Sequence, residues 1–246
     1  MADLFILIAV AWFLPCVVGL VASGKWREPR ALALVAASSV ALAANLLAVS
    51  LAPGLFPEAS RGLNWNWNGK VAAIAITLIV YALLPAALRA EAGLFNRPYP
   101  PEWRSVLLVA GATMLLFWLV SWFTGDHAPV TGETLLFQAT MLGLDEESSF
   151  RGVLLALLVG AFGKPMRIAG IRLGWGALPV VAFFGLAHTL ATLTAPTIDW
   201  GEFWLTLSLT GATGAALLWL KERTGSIWVP VIVHNLINVG SKLVGG

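Results

Sequence analysis

The 246-residue sequence is 59% hydrophobic and only 11% charged, with a formal net charge of +2. Soluble domains carry about 25% charged residues, so this chain lacks the polar side chains needed to cover a water-facing surface. The small net charge does not indicate a polyanionic partner, and we expect no nucleic-acid binding. The single cysteine, Cys16, excludes an intramolecular disulfide and a thiolate-clustered metal site. The composition predicts an integral membrane protein with the lipid bilayer as its surroundings.

Seven stretches of 18 or more residues lack Asp, Glu, Lys and Arg, and an eighth, residues 134–163, is interrupted by ionisable residues. A helix needs roughly 20 apolar residues to cross about 30 Å of hydrocarbon, and backbone groups in lipid must be satisfied within each segment. The sequence therefore predicts an all-α, polytopic membrane protein, a bundle of eight transmembrane helices forming one domain over residues 1–246. The seven uninterrupted windows are 4–24, 31–57, 71–88, 105–125, 173–198, 203–220 and 224–241.

The loops between these windows differ strongly in charge. Arg61, Lys70 and Lys242 lie on one side, and Arg151 lies inside a window. The positive-inside rule places the other, basic side in the cytoplasm and both termini outside. A cleaved signal peptide is not expected, because the first residues carry no Lys or Arg. The eleven basic residues of the other side are Lys25, Arg27, Arg30, Arg89, Arg97, Arg104, Lys164, Arg167, Arg172, Lys221 and Arg223.

The interrupted window contains Asp145, Glu146, Glu147 and Arg151. An ionisable side chain at the centre of a spanning helix costs about 2.5–3.5 kcal/mol, and such residues usually mark a functional site. Glu147 and Arg151 are four residues apart with the acid first, the favourable order for an ion pair, which alternatively only locks helix packing. Glu146, about 100° further around the helix, is then free to face another group. We expect Asp145 to lie nearer water or to bond to a neighbouring helix, without a catalytic role.

Two histidines lie in otherwise charge-free windows. Phe184 precedes His188 by four residues and Asn238 follows His234 by four residues, so each pair shares one helix face. A single buried histidine is more often a packing residue than a catalyst. Together with Glu146, however, these groups predict a functional site in the second half of the chain.

These residue types support hydrolysis of a peptide bond by water. A carboxylate beside a neutral imidazole can hold and deprotonate a water molecule, and a second imidazole with an amide can stabilise an oxyanion. Glu146, His188 and His234 are also acceptable zinc ligands that leave a fourth position for water, although the compact H-E-x-x-H spacing is absent. No G-x-S-x-G motif for a serine nucleophile occurs.

Three ordered motifs carry a family resemblance: Glu146-Glu147-x-x-x-Arg151, Phe184-x-x-x-His188 and His234-x-x-x-Asn238. They resemble the motifs of the CPBP family, which comprises CAAX proteases, including the Ras-converting type II CAAX prenyl endopeptidases, and bacteriocin-processing (Abi) membrane peptidases. The stretch 221–228 is also similar to bacterial members. The resemblance covers residues 133–243, and residues 61–70 loosely resemble a segment of some members.

The resemblance implies an intramembrane endopeptidase of the glutamic type that needs no cofactor. Glu146 would be the general base that activates water with His188, and His234 and Asn238 would stabilise the oxyanion. The substrate would be a membrane-associated or lipidated protein or peptide. The supporting residues implied by the motifs are Glu147, Arg151 and Phe184.

Three other functions stay open from the sequence. A zinc-dependent intramembrane metalloprotease would use the same residues Glu146, His188 and His234. A proton-coupled transporter or channel would use the ionisable groups as a relay, although the inverted repeats common in transporters are not evident. A non-catalytic membrane scaffold would keep the fold alone. The short loops and basic cytoplasmic side suggest a bacterial inner membrane, where prenylated CAAX proteins are not the expected natural substrates.

Overall fold

The computed structural model describes residues 2–100, 102–125 and 127–246, without the side chains of residues 2–9, 59, 60 and 191. A 3₁₀ turn, Pro57–Ser60, follows the second helix, and a π-helical segment, Glu147–Leu154, joins two others without a break. The helices are α1 (Ala2–Ala22), α2 (Pro29–Leu55), α3 (Trp67–Leu83), α4 (Ala86–Ala92), α5 (Trp103–Thr124), α6 (Gly132–Glu146), α7 (Leu155–Phe162), α8 (Ala177–His188), α9 (Leu190–Leu193), α10 (Trp200–Thr224) and α11 (Trp228–Gly245).

Several helix ends follow directly from local residue chemistry. The side chains of Asn66, Thr131 and Asp199 each accept a hydrogen bond from a backbone N–H in the first turn of α3, α6 and α10, where four such groups otherwise lack partners. Gly93 and Gly225 end α4 and α10 with φ of 71° and 67°. A left-handed residue at this position ends a helix and favours glycine.

The helix made of α6, the π-helical segment and α7 lies at the centre of the bundle. All eight residues of the π-helical segment are buried. Phe150 and Leu154 of this segment, with Leu158 of α7, belong to a large apolar core that also holds Trp12 of α1 and Phe183 of α8. The motif carrying the charged residues is therefore enclosed by other helices rather than by lipid.

The helices α6 and α11 approach each other closely at Gly143. A Cβ atom on this glycine would lie 2.7 Å from the backbone oxygen of Val231 and 2.6 Å from Oδ1 of Asn235. Small residues allow helix backbones to come this close in membrane bundles. The contact brings the segment after Gly143 next to the middle of α11, where His234 lies.

Three helices of the described chain are long and apolar enough to cross a membrane: α2, α5 and α10. The α5 surface is particularly apolar and open, with Leu107 66%, Leu115 55% and Phe123 80% exposed. Large exposed apolar faces indicate a membrane or a partner surface. The exposed apolar helix faces and the composition together identify a membrane protein.

The mainly helical fold class is confirmed, but the bundle of eight transmembrane helices is not. Window 71–88 is divided between α3 and α4, and window 173–198 contains two helices, α8 and the short α9, with a non-helical end. Charge-free windows identify apolar stretches, but a helix also ends before residues such as Pro85, which lacks a backbone donor. The loop predicted after residue 163 contains a hairpin of β1 (Met166–Ile168) and β2 (Ile171–Leu173), closed by Ala169 and Gly170 with positive φ.

Candidate active site

The predicted ion pair between Glu147 and Arg151 is present at the centre of the molecule. Nη1 of Arg151 lies 2.9 Å from Oε1 of Glu147, and both side chains are completely buried. The other terminal nitrogen donates to the backbone oxygen of Gly214 at 3.2 Å, and the guanidinium lies 4.0 Å above the ring of Phe184. Two charges removed from water require such mutual compensation. The pair thus forms a rigid, electrically balanced base for the surrounding polar groups.

His234 connects this ion pair to Glu146. Its Nδ1 lies 2.7 Å from Oε1 of Glu147, and its Nε2 lies 3.9 Å from Oε2 of Glu146. Because an ionised carboxylate only accepts hydrogen bonds, Nδ1 carries the proton of this contact. Glu147 therefore fixes the orientation of the ring and directs its second nitrogen toward Glu146.

His188 is held in the same way by a backbone group. Its Nδ1 lies 2.7 Å from the backbone oxygen of Phe184, which can only accept, so Nδ1 carries a proton. In the neutral ring, Nε2 then has the free lone pair. The ring of Phe184 packs on both imidazoles, with centroid distances of 4.6 Å to His188 and 6.0 Å to His234.

Glu146 and His188 line one cavity of about 220 Å³. Polar groups lie beside an aromatic and aliphatic wall that includes Phe150, Phe183 and Phe184. The cavity is large enough for several water molecules, since one water occupies about 30 Å³ in the liquid. The geometry therefore brings a carboxylate and an imidazole with a free lone pair to one space that water can fill.

Asn238 lies one turn beyond His234 on α11 but does not line this cavity. Its Nδ2 is buried and has no hydrogen-bond partner among the described residues. A buried donor without a partner costs about 1–3 kcal/mol and is rare in folded proteins. Within the described structure, this donor is therefore left unsatisfied.

Two polar residues that the sequence interpretation left out of the site, Lys70 and Asn45, meet Asp145 at the cavity. Nζ of Lys70, in the first turn of α3, lies 2.7 Å from Oδ2 of Asp145 and 3.1 Å from Oε1 of Glu146. Nδ2 of Asn45, on α2, donates to Oδ1 of Asp145 at 3.0 Å. Lys70 therefore belongs to a helix and to the site, rather than to a loop. The available signal was its position at the end of the family-like segment 61–70.

Asp145 is buried and bonds to neighbouring helices, which was one of the two positions expected for it. Its side chain is 3% exposed, and its two oxygens are held from α2 and α3. With this contact, the described chain places three consecutive carboxylates, Asp145 to Glu147, opposite the two cations Lys70 and Arg151.

The arrangement does not fit a zinc centre. No three His, Cys, Asp or Glu side chains in the described part of the chain are grouped as ligands for one ion. The ammonium of Lys70 lies 3.1 Å from the carboxylate of Glu146, where it would repel a divalent cation bound to that carboxylate.

Residues 133–240 match the family model described as Type II CAAX prenyl endopeptidase Rce1-like. The resemblance to the CAAX protease family is confirmed. The Rce1-like segment contains Glu146, His188, His234 and Asn238 and ends within α11. The match supports a membrane protease that acts on a peptide or protein. No curated protein and no solved structure matches the chain.

Proposed function

We propose that this chain is an intramembrane endopeptidase of the glutamic type, in which Glu146 and His188 activate the attacking water. The observation that carries the proposal is the cavity shared by these two side chains, with Nε2 of His188 left free by the hydrogen bond of Nδ1 to Phe184. A water molecule between them donates one hydrogen bond to the carboxylate and one to the imidazole. General bases act through such contacts.

His234 and Asn238 stabilise the oxyanion that forms when the water oxygen adds to the peptide carbonyl carbon. The buried Nδ2 of Asn238 has no partner within the described chain and can donate to this oxygen. Nδ1 of His234 already donates to Glu147, so Nε2 donates only when the ring carries both protons. Lys70 and Arg151 supply two positive charges for the three consecutive carboxylates of residues 145–147. The protonated ring of His234 then supplies the third positive charge. Preorganised donors of this kind usually supply about 10²–10³-fold in rate.

The reaction ends with transfer of a proton to the leaving amine. The water adds its oxygen to the carbonyl carbon and gives its proton to Glu146, assisted by His188. The carbon–nitrogen bond then breaks, and the same proton passes from Glu146 to the new amine. The free carboxylate is regenerated, and no cofactor is consumed.

The substrate we propose is a membrane-associated or lipidated protein or peptide. The aromatic wall formed by Phe150, Phe183 and Phe184 provides an apolar surface beside the polar groups, which suits an extended chain with apolar side chains. We place the protein in a bacterial inner membrane as a bundle of eight spans with both termini outside. The uneven distribution of basic residues between its loops supports this orientation.

The test uses the purified full chain in liposomes with quenched fluorescent peptides, each carrying an apolar anchor with or without an isoprenyl group. We expect the wild type to cleave at least one peptide, Glu146→Gln to cleave none, and the exposed control Glu58→Gln to match the wild type. Activity should persist with 1,10-phenanthroline. Loss of activity that added zinc restores would favour the metalloprotease instead. Full activity of Glu146→Gln would remove this residue from the mechanism.

A further inference from the structure

We propose that Lys70 is a positioning residue of the reaction, which holds Glu146 with one oxygen bound and the other free for water. The inference rests on the proposed function, because it concerns the general base of that reaction. Lys70 lies outside the Rce1-like segment of residues 133–240. Its side chain is only 13% exposed, and it lines the same cavity as Glu146 and His188.

The contacts of Lys70 divide the two oxygens of Glu146. Nζ lies 3.1 Å from Oε1, whereas Oε2 faces Nε2 of His234 at 3.9 Å, beyond hydrogen-bond distance. An ammonium has three N–H groups, and the second of them is used by Asp145 at 2.7 Å. The oxygen that is not held by Lys70 is therefore the one available to accept the proton of water.

Glu146 also needs Lys70 as its countercharge. A carboxylate removed from water is costly unless it is paired. Among the described residues of the site, the other cation that is always charged is Arg151, which is bound to Glu147 at 2.9 Å. The side chain of Glu146 is 17% exposed, so solvent compensates it only in part. Lys70 keeps the general base charged and in place within an apolar bundle.

The chain fixes the position of Lys70 through its neighbours. A Cβ atom on Gly69 would lie 2.5 Å from the backbone oxygen of Val49, so the start of α3 packs directly on α2. The preceding residues are bound to Glu133, whose carboxylate accepts hydrogen bonds from the backbone of Asn64 and Trp65 and from Nε1 of Trp67. The aromatic and asparagine-rich segment before Lys70 thus fastens the first turn of α3 to the start of α6.

A substitution of Asp145 distinguishes two roles of Lys70: positioning Glu146 and neutralising the charge of Asp145. Lys70 bonds to both Asp145 and Glu146. If its only task were to neutralise Asp145, replacing that residue by Asn would make Lys70 dispensable. If it positions Glu146, the double substitution would still lack the contact to Oε1.

The experiment compares Lys70→Met, Lys70→Arg, Asp145→Asn and Lys70→Met/Asp145→Asn with wild type in liposomes, using the peptide that the wild type cleaves. We expect Lys70→Met to lower kcat about 10²-fold, the typical cost of a displaced catalytic group, with KM close to the wild-type value. Lys70→Arg should regain a large part of kcat. The double variant should stay as slow as Lys70→Met, although it loses one positive and one negative charge and so keeps the net charge of the wild-type site. Lys242→Met is the control, because among the described residues its ammonium donates to the backbone oxygen of Gly246 and to no carboxylate.

A second measurement needs no substrate. The rate at which dicyclohexylcarbodiimide labels Glu146, followed by mass spectrometry, should rise in Lys70→Met, because an ion pair protects the carboxylate. Wild-type kcat in Lys70→Met, recovery of kcat in the double variant, or an unchanged labelling rate would each overturn the role of Lys70. Faster labelling in a protein whose wild type cleaves no peptide would instead show that the ion pair exists and the proposed peptidase function fails.

Discussion

Oε1 of Glu147 accepts a hydrogen bond from Nδ1 of His234 at 2.7 Å while it also accepts one from Arg151 at 2.9 Å. The motif gives Glu147 a supporting role, and this residue therefore directly orients the imidazole of His234, a proposed catalytic group. Since Glu147 and Arg151 are completely buried, the ion pair and the orientation of His234 depend on each other.

Arg151→Ala should destabilise the protein by about 3–5 kcal/mol, because it leaves the buried carboxylate of Glu147 without its countercharge. The melting temperature in detergent measures the loss. Arg61→Ala, which removes an ion pair exposed at the surface, should change the melting temperature little. Glu147→Gln/Arg151→Met, which removes both charges, should recover part of the stability. A stable Arg151→Ala variant would contradict the importance of the pair.

His188→Ala and His234→Ala should each lower kcat by about 10²–10³-fold, the usual cost of losing an acid–base or oxyanion group. The third histidine, His127, packs edge-on against Trp122 and does not line the cavity of Glu146 and His188, so His127→Ala is a matched control and should keep the wild-type rate. Rates are measured on the same peptide in liposomes. Wild-type rates in both site variants would assign the two imidazoles to packing.

Asn238→Ala and Asn235→Ala should separate activity from stability on α11. Nδ2 of Asn238 has no partner among the described residues, so its loss should lower kcat about 10²-fold without lowering the melting temperature. Oδ1 of Asn235 accepts from the backbone N–H of Gly143 at 2.8 Å, so its loss should lower the melting temperature. The reverse pattern would argue against the proposed oxyanion donor.

Glu133→Ala should release the segment before α3. The carboxylate accepts hydrogen bonds from the backbone N–H groups of Asn64 and Trp65, and without it these groups exchange more easily with water. Hydrogen exchange followed by mass spectrometry should show faster exchange over residues 63–68 in this variant. Glu102→Ala, which precedes α5 and accepts no hydrogen bond from that segment, should exchange there as the wild type does.

The ion cluster at the predicted cytoplasmic side should make stability depend on pH. Glu91 contacts Lys164 and, at 3.2 Å, Lys221, and Glu222 completes the cluster at 2.9 Å from Lys221. Burial alone would raise the pKa of Glu91, but Lys221 and Lys164 outweigh burial and hold this pKa below its usual value of 4.5. For Lys164, burial opposes the charge, yet Glu222 and Glu91 raise its pKa above the usual 10.5.

A carboxyl group whose pKa is lowered by folding stabilises the folded state at pH values above its usual pKa. This stabilisation is lost as the pH falls through the lowered pKa. The melting temperature of the wild type should therefore exceed that of Glu91→Gln between about pH 5 and pH 10, and the difference should shrink below about pH 4. The raised pKa of Lys164 sets the alkaline limit, because its contribution disappears as the pH rises above 10.5. A difference that is constant across this range would show that Glu91 contributes no ionic stabilisation.

The sequence predicted those parts of the site that depend on local spacing. Glu147 and Arg151 are four residues apart, and helical geometry brings them together almost independently of the rest of the fold. The contact of Lys70 with Glu146 joins residues 76 positions apart, and no local pattern indicates it. The predicted position of Glu146, about 100° from Glu147, assumed a regular α-helix, whereas Glu147–Leu154 is π-helical, so the phase of the residues beyond it could not be obtained from 3.6-residue periodicity.

The mainly helical fold was predicted from the composition and is confirmed, whereas the bundle of eight spans stays a prediction. A search for charge-free stretches measures hydropathy and is insensitive to a helix that ends inside such a stretch. The ends of α3 at Leu83 and of α8 at His188 both fall inside predicted windows. Conversely, α6, the π-helical segment and α7 run without interruption from Gly132 to Phe162, because the charges inside them are paired. Glu147 pairs with Arg151 of the same helix, and Lys70 of α3 pairs with the two preceding carboxylates.

The boundary drawn by sequence similarity at residue 133 does not coincide with a boundary in the molecule. Asp145 is held by Asn45 and Lys70, and both come from the half of the chain that carries none of the three motifs. A chimaera that joins this second half to an unrelated first half would inherit every motif and still lack the two side chains that surround Asp145. To keep both contacts, a chimaera has to take α2, α3 and α6 from the same parent.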